Sequence, residues 1–168
     1  MDRTGVITFQ GGALTLTGNE VKVGGKAPDF TMMDNNLGAV TLKDFAGKTK
    51  VISVTPSLDT PVCDAQLRKF NEEAAKLGPD TVVINVSMDL PFANARFCTT
   101  AGISAATKTL SDYKDASFGL NYGVLIKELR LLTRAVFVID KNDIIQYMEI
   151  VPEITNPPDY GKAIAAAK

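Results

Sequence analysis

Two cysteines, Cys63 and Cys98, are the soft nucleophiles of this chain, and no histidine is present to activate either of them. The segment Pro56-Ser57-Leu58-Asp59-Thr60-Pro61-Val62-Cys63 follows the apolar run Val51-Ile52-Ser53-Val54 and opens a helical pattern. Thr60 reads as the helix N-cap and Pro61 as the first helical residue, because a capping hydroxyl and a residue without an N–H both suit a turn of unpaired donors. Cys63 then takes the third helical position, where the Glu or Gln of a capping box would reach back toward the cap. The positive end of the helix dipole favours an anion there, so a thiolate is expected. Without imidazole, Cys/His and Ser/His/Asp arrangements and His-containing zinc motifs are excluded, and activation of the thiol must be electrostatic.

The elements that must carry these residues can be read from periodicity. Lys50 to Thr55 reads as a buried strand, and Cys63, Leu67, Phe70, Ala74 and Leu77 recur at helical spacing from Pro61 to about Leu77, where Gly78-Pro79 ends the helix. Thr81 to Ser87 is a second apolar strand, and Pro91 to Cys98 is a short helix leading into Thr99-Thr100-Ala101-Gly102. Val6 to Phe9 and Leu14 to Leu16 flank Gly11-Gly12 as an N-terminal hairpin that decorates the main sheet. Phe30 to Met33, Val40 to Leu42 and Leu110 to Asp112 are brief strand candidates, with a helix around Phe118 to Tyr122. Ala135 to Ile139 turns at Asp140-Lys141-Asn142-Asp143 into Ile144 to Ile150, an antiparallel pair. A last helix follows Asn156-Pro157-Pro158, with Tyr160, Ile164 and Ala167 toward the core. This order implies an α/β fold, a mixed thioredoxin-like sheet covered on both faces.

Composition bounds the function. The chain of 168 residues, 45% hydrophobic, suits one globular domain over residues 1–168. Its 18 basic and 19 acidic residues are mixed along the chain, which gives no nucleic-acid surface. No run approaches a membrane span and no basic segment precedes an apolar stretch at the start, so a cytoplasmic location is the default expectation. In a reducing compartment, two cysteines read as catalytic or redox-sensing rather than as a disulfide scaffold. Scattered carboxylates lack a metal spacing, Gly11-Gly12 and Gly24-Gly25 lack a phosphate-loop frame, and no cofactor is expected.

The stretch from Pro56 to Cys63 resembles the Pro-x-x-x-Thr-x-x-Cys signature of the peroxiredoxins, in their thiol peroxidase branch. The similarity runs nearly end to end: Leu90-Pro91-Phe92-Ala93-Asn94-Ala95-Arg96-Phe97-Cys98 is similar to that branch's second-cysteine segment, and Leu132-Thr133-Arg134-Ala135-Val136-Phe137-Val138-Ile139-Asp140 to its arginine-bearing strand. The resemblance implies a thioredoxin-like fold, reduction of hydrogen peroxide and organic hydroperoxides, an intramolecular disulfide, recycling by thioredoxin and a homodimer. Carried onto these residues, it makes Cys63 the peroxidatic nucleophile and Cys98 the resolving thiol. Thr60 becomes a hydroxyl donor to peroxide or thiolate, Arg134 the guanidinium that stabilises charge as the O–O bond breaks, and Pro56 the shield of the sulfur.

Each residue also has an ordinary reading. Cys63 lies on an apolar helical stripe and could be a packing cysteine; Thr60 could be a plain cap, Pro56 a strand-ending turn, Arg134 a strand-edge surface residue and Cys98 an inert thiol. Arg130 is a second, weaker arginine candidate. The alternative at the level of function is a non-enzymatic thioredoxin-like redox sensor or partner-binding module, which would form the same disulfide without turnover.

Overall fold

The β-branched run Thr49–Val54 becomes an interior strand, and the segments most like it in composition line up beside it. The computed structural model describes residues Met1–Lys168. Eleven strands form: β1 (Asp2–Phe9), β2 (Gly12–Thr17), β3 (Thr31–Met33), β4 (Ala39–Thr41), β5 (Thr49–Val54), β6 (Thr81–Ser87), β7 (Thr107–Ser111), β8 (Leu125–Ile126), β9 (Leu131–Leu132), β10 (Ala135–Ile139) and β11 (Ile145–Ile150). The helices are α1 (Pro61–Leu77), α2 (Pro91–Ala101), α3 (Ser117–Asn121) and α4 (Tyr160–Ala166). The main sheet has the order β11-β10-β5-β6-β7-β3-β4, with β5, β6 and β7 parallel and the outer strands antiparallel.

Alternation along the strands sorts two cores. Val51, Val83, Val136 and Val138 face Phe70 and Ala74 of α1 and Ala163 and Ala167 at α4. Ile52, Val54, Ile84, Val86 and Phe137 face the other way, onto Phe30, Phe118 and Tyr122. Phe118 stacks on Tyr122 at 4.2 Å between ring centroids, and both meet Phe137 edge-on. Full burial of each such side chain is worth about 1.5–3 kcal/mol, so these aromatics anchor the second face. The α1 face also carries a polar row: Ser53, Asn85 and Thr109 stand in register across β5, β6 and β7.

Several expectations are corrected. The N-terminal hairpin does not extend the main sheet; it pairs with β8 to form a separate sheet of order β1-β2-β8-β9. β8 and β9 are two residues each, too short for alternation to register in the sequence. The helix bearing Cys98 continues through Thr99 and Thr100 to Ala101, ending at Gly102 in the left-handed conformation (φ 64°, ψ 41°). Within that last turn the Thr99 hydroxyl donates to the Ala95 carbonyl at 3.1 Å, a back-bond open to threonine within a helix. At α4 the expected residues do face the core: Ala167 is buried and Tyr160 and Ile164 pack against the same cluster, to which the sequence reading did not add the fully buried Ala163.

Candidate active site

The site begins where β5 ends. Thr55 extends the strand by one backbone bond to Val86, and the chain then crosses Pro56–Thr60 before α1 starts. Asp89, just past β6, pins this crossing: its carboxylate accepts from Ser57 Oγ at 2.7 Å, the Leu58 backbone N–H at 2.7 Å and Ser87 Oγ at 2.9 Å. Leu58 is thereby buried, Pro56 is half-buried beside it, and Thr60 remains exposed.

Thr60 is the N-cap, with extended backbone (φ −112°, ψ 148°), and Pro61 is the first helical residue, as the spacing predicts. The side chain departs from expectation, however, because its hydroxyl donates to the Ser57 carbonyl at 2.9 Å and makes no capping bond. The turn Ser57–Thr60 supplies a nearer acceptor, since the Thr60 N–H bonds the same carbonyl at 3.3 Å. The N–H groups of Val62 and Cys63 find no protein acceptor, as befits a helix's first turn.

Cys63 sits with no exposed surface, and its sulfur receives a hydrogen bond from Arg134 Nη2 at 3.3 Å. Arg134 lies in a bend just before β10, and the pairing of Ala135 with Val54 brings it beside the end of β5. The guanidinium is 2% exposed, so it is not the surface arginine of the ordinary reading. Its other bonds go to the Ile154 carbonyl from Nε and to Gln66 Oε1 from Nη1, both at 2.8 Å. None of the three partners is a carboxylate. A buried cation is costly without a counter-charge, and the Cys63 sulfur is the one acidic group among its three partners. Arg130, by contrast, is exposed in a tight turn between β8 and β9 with φ 55°.

Two supporting residues escaped sequence reasoning. Gln66, fully buried on the apolar stripe of α1, donates to Ser53 Oγ at 2.7 Å while accepting from Arg134. Its signal was a polar residue three positions after Cys63, on the same helical face. Asp89 gave only the pattern of an acid after a strand. The N-terminal hairpin contributes from a distance: Thr8 pairs with the backbone around Glu153, and the Glu153 carboxylate accepts from Gly11 N–H and Thr8 Oγ1, both at 2.9 Å. These bonds fix the segment whose Ile154 carbonyl holds Arg134. They also hold the Glu153 carboxyl down to about 2, with the Gly11 N–H the largest cause.

Cys98 is half-buried and free, as is Cys63. Its sulfur lies 3.4 Å from Thr109 Oγ1 on β7, whereas the Cys63 cluster is tied through Gln66 to Ser53 on β5. Those two anchors are separated by β6, about 10 Å across the sheet at the usual strand spacing, so the thiols stand at different stations. A surface cavity of about 600 Å³ opens beside Cys98, and Cys63 is not among its lining residues.

Comparison with known proteins agrees with this geometry. The redoxin family profile matches residues 22–164. The chain is 63% identical to the thiol peroxidase of Halalkalibacterium halodurans and 59% to that of Bacillus subtilis, over 96% of this chain and of each relative. Among solved structures, a peroxiredoxin-like protein from Aquifex aeolicus superposes with a TM-score of 0.89 at 38% identity, covering 98% of this chain and 95% of that one. The thiol peroxidase from Chromobacterium violaceum shares the fold with a TM-score of 0.84 at 21% identity, over 93% of this chain and 91% of its own. With its N-terminal hairpin, mixed sheet and flanking helices in the thioredoxin-like arrangement, the chain belongs to the redoxin family, in the thiol peroxidase branch of the peroxiredoxins.

Proposed function

We propose that this thiol peroxidase reduces hydrogen peroxide and organic hydroperoxides at Cys63, resolves through Cys98, and is recycled by thioredoxin. The observation that carries the reading is the buried Arg134 guanidinium, 3.3 Å from the Cys63 sulfur and with no carboxylate among its partners. The thiolate attacks one peroxide oxygen; the O–O bond breaks, Cys63 becomes a sulfenic acid, and the other oxygen leaves as hydroxide or alkoxide and takes a proton from solvent. Arg134 stabilises the charge moving from sulfur to the leaving oxygen without exchanging a proton. The unpaired N–H groups of Val62 and Cys63 are the donors placed to orient the peroxide; the Thr60 hydroxyl, whose own hydrogen goes to the Ser57 carbonyl, accepts from the peroxide O–H with its free lone pair, and Pro56 shields the sulfur from bulk water. The Cys98 thiol then gives up its proton and attacks the sulfenic sulfur; the S–O bond breaks, the disulfide forms, and the oxygen leaves as hydroxide that takes up a proton to become water.

Catalytic turnover separates this from the redox-sensor alternative. Purified protein with thioredoxin and its reductase is expected to consume many equivalents of hydrogen peroxide and of a bulky alkyl hydroperoxide. Consumption that stops at one equivalent would favour the sensor.

The partner surface follows from what remains apolar near the site. Leu90, Phe92 and Tyr113 are 52%, 68% and 39% exposed, and the Ser111 hydroxyl bonded to the Asp89 carbonyl draws their two loops together. A homodimer through this patch is the proposed assembly, from a single thioredoxin-like domain working in a reducing compartment such as the cytoplasm. Sedimentation of wild type and Phe92→Glu tests it: a dimer converted to a monomer is expected, and a wild-type monomer at all concentrations would remove the idea. No helix is long and apolar enough to cross a membrane.

A further inference from the structure

The Cys98 sulfur belongs to a closed ring of three polar groups. Thr109 Oγ1 lies 3.4 Å from it and donates its single hydrogen to Asn35 Oδ1 at 3.0 Å, while Asn35 Nδ2 points back to the sulfur at 4.0 Å. Because the Thr109 hydrogen is committed to Asn35, sulfur is the donor toward Thr109. The ring is therefore satisfied by a thiol and broken by any departure of Cys98. Asn35 is itself held in the turn between β3 and β4, where Asp34 Oδ1 accepts from the N–H groups of Asn36 at 2.8 Å and Gly38 at 2.9 Å.

An opposing load lies one helical turn earlier on the same face of α2. Asn94 has no exposed surface, and neither its Nδ2 nor its Oδ1 has a hydrogen-bond partner in the protein. Asn85 Nδ2 on β6 is buried and unpartnered as well. A buried amide without partners penalises the packed helix relative to an unwound one that gives it water. The packed face of α2 thus combines one set of bonds that holds it with one group that disfavours it.

We infer that Asn35 and Thr109 are positioning residues for Cys98, a latch that keeps α2 wound and the thiol at β7, while Asn94 biases α2 toward release. Together they set how fast Cys98 reaches oxidised Cys63. The inference rests on reading Cys63 as the peroxidatic and Cys98 as the resolving thiol. Two fates compete for the Cys63 sulfenic acid. Attack by Cys98 gives disulfide and water; attack on a second hydroperoxide gives a sulfinic acid and releases water or alcohol from that peroxide. The latch consequently governs the peroxide concentration at which the enzyme destroys itself.

Rapid-quench mass spectrometry after one equivalent of hydrogen peroxide reads both steps, and a peroxide titration reads the sulfinic product. In Thr109→Val and Asn35→Ala the sulfenic acid is expected to form at the wild-type rate, and the disulfide about five- to tenfold faster, the factor of one ordinary hydrogen bond. Sulfinic acid should then require correspondingly more peroxide. Asn94→Leu should shift both readouts the opposite way. If wild type forms disulfide and all three variants match it, the latch is wrong while the cycle stands. If wild type forms no Cys63–Cys98 disulfide at all, the cycle itself fails. A variant that changes only thermal stability, leaving the split between disulfide and sulfinic acid unmoved, would also overturn the latch.

Discussion

Arg134 Nη1 donates to Gln66 Oε1 at 2.8 Å, so the guanidinium that faces Cys63 is held from behind by a side chain one helical turn along from that cysteine. Helix α1 supplies both the sulfur and the brace of its counter-ion. Replacing Arg134 by Gln is expected to lower the second-order rate with peroxide by about 10²- to 10³-fold, the usual loss for a charge-stabilising donor in a closed site. Competition kinetics against a reference peroxidase measures it, and a loss below threefold would contradict the assigned role.

Gln66→Leu leaves Arg134 in place but unpaired on one side. The expected loss of rate is smaller, about tenfold, with about 1–3 kcal/mol of stability lost because Arg134 Nη1 and the Ser53 hydroxyl lose their partner. Urea unfolding and a double-mutant cycle with Arg134→Gln check this. Additive rate losses would show that the two side chains act independently.

The two cysteines should fail differently. Cys98→Ser is expected to accumulate oxidised Cys63 and to stop turnover with thioredoxin after one equivalent, whereas Cys63→Ser should not react with peroxide at all. Intact-mass measurement before and after peroxide distinguishes them.

Burial pushes the Asp112 carboxyl up to about 6, against the pull of hydrogen bonds from the Gly119 and Phe118 backbone N–H groups. An acid whose folded value lies above its unfolded one binds more protons when folded. This residue's contribution to stability therefore falls as pH rises from about 4 to about 6 and is level above that, by up to about 3 kcal/mol. The stability difference between wild type and Asp112→Asn, followed by urea unfolding across that window, should track this fall, and a carboxyl NMR titration should find a midpoint near 6. A midpoint near 4 would contradict it.

Glu153 has the opposite sign. Its carboxyl, held at about 2, contributes stability that is complete above its ordinary value of 4.5 and lost as pH falls toward 2. Because its partners are Thr8, Gly11 and Thr155, the hydrogen-exchange protection factors of β1 and β2, taken against the intrinsic rate at each pH, should fall on acidification in wild type and be already low in Glu153→Ala. An acid-insensitive wild-type hairpin would refute the attachment.

What the residues disclosed in advance was local. Thr60-Pro61 marked the start of α1, and apolar alternation marked β5, β6 and β10, because caps and periodicity are properties of neighbouring positions. Arg134 could be singled out only through resemblance; from position alone it was one of two arginines before a strand. Gln66, Asp89 and Asn35 were hidden because their roles depend on partners that pairing of distant strands brings near. The Thr60 hydroxyl was misjudged for a similar reason, since the Ser57 carbonyl competes for it within a turn whose shape Asp89 imposes.

Ser53, Asn85 and Thr109 belong to three parallel strands locked by backbone bonds, and the first and last of them anchor the two thiol clusters. Ladder bonds tie the strands to one another, so a bridge between the sulfurs would require the helix ends that carry them to move. Once a reductant cuts that bridge, each sulfur has a fixed berth to return to. On the proposed cycle the sheet would thus act as a reset, each turn ending at the geometry from which it began.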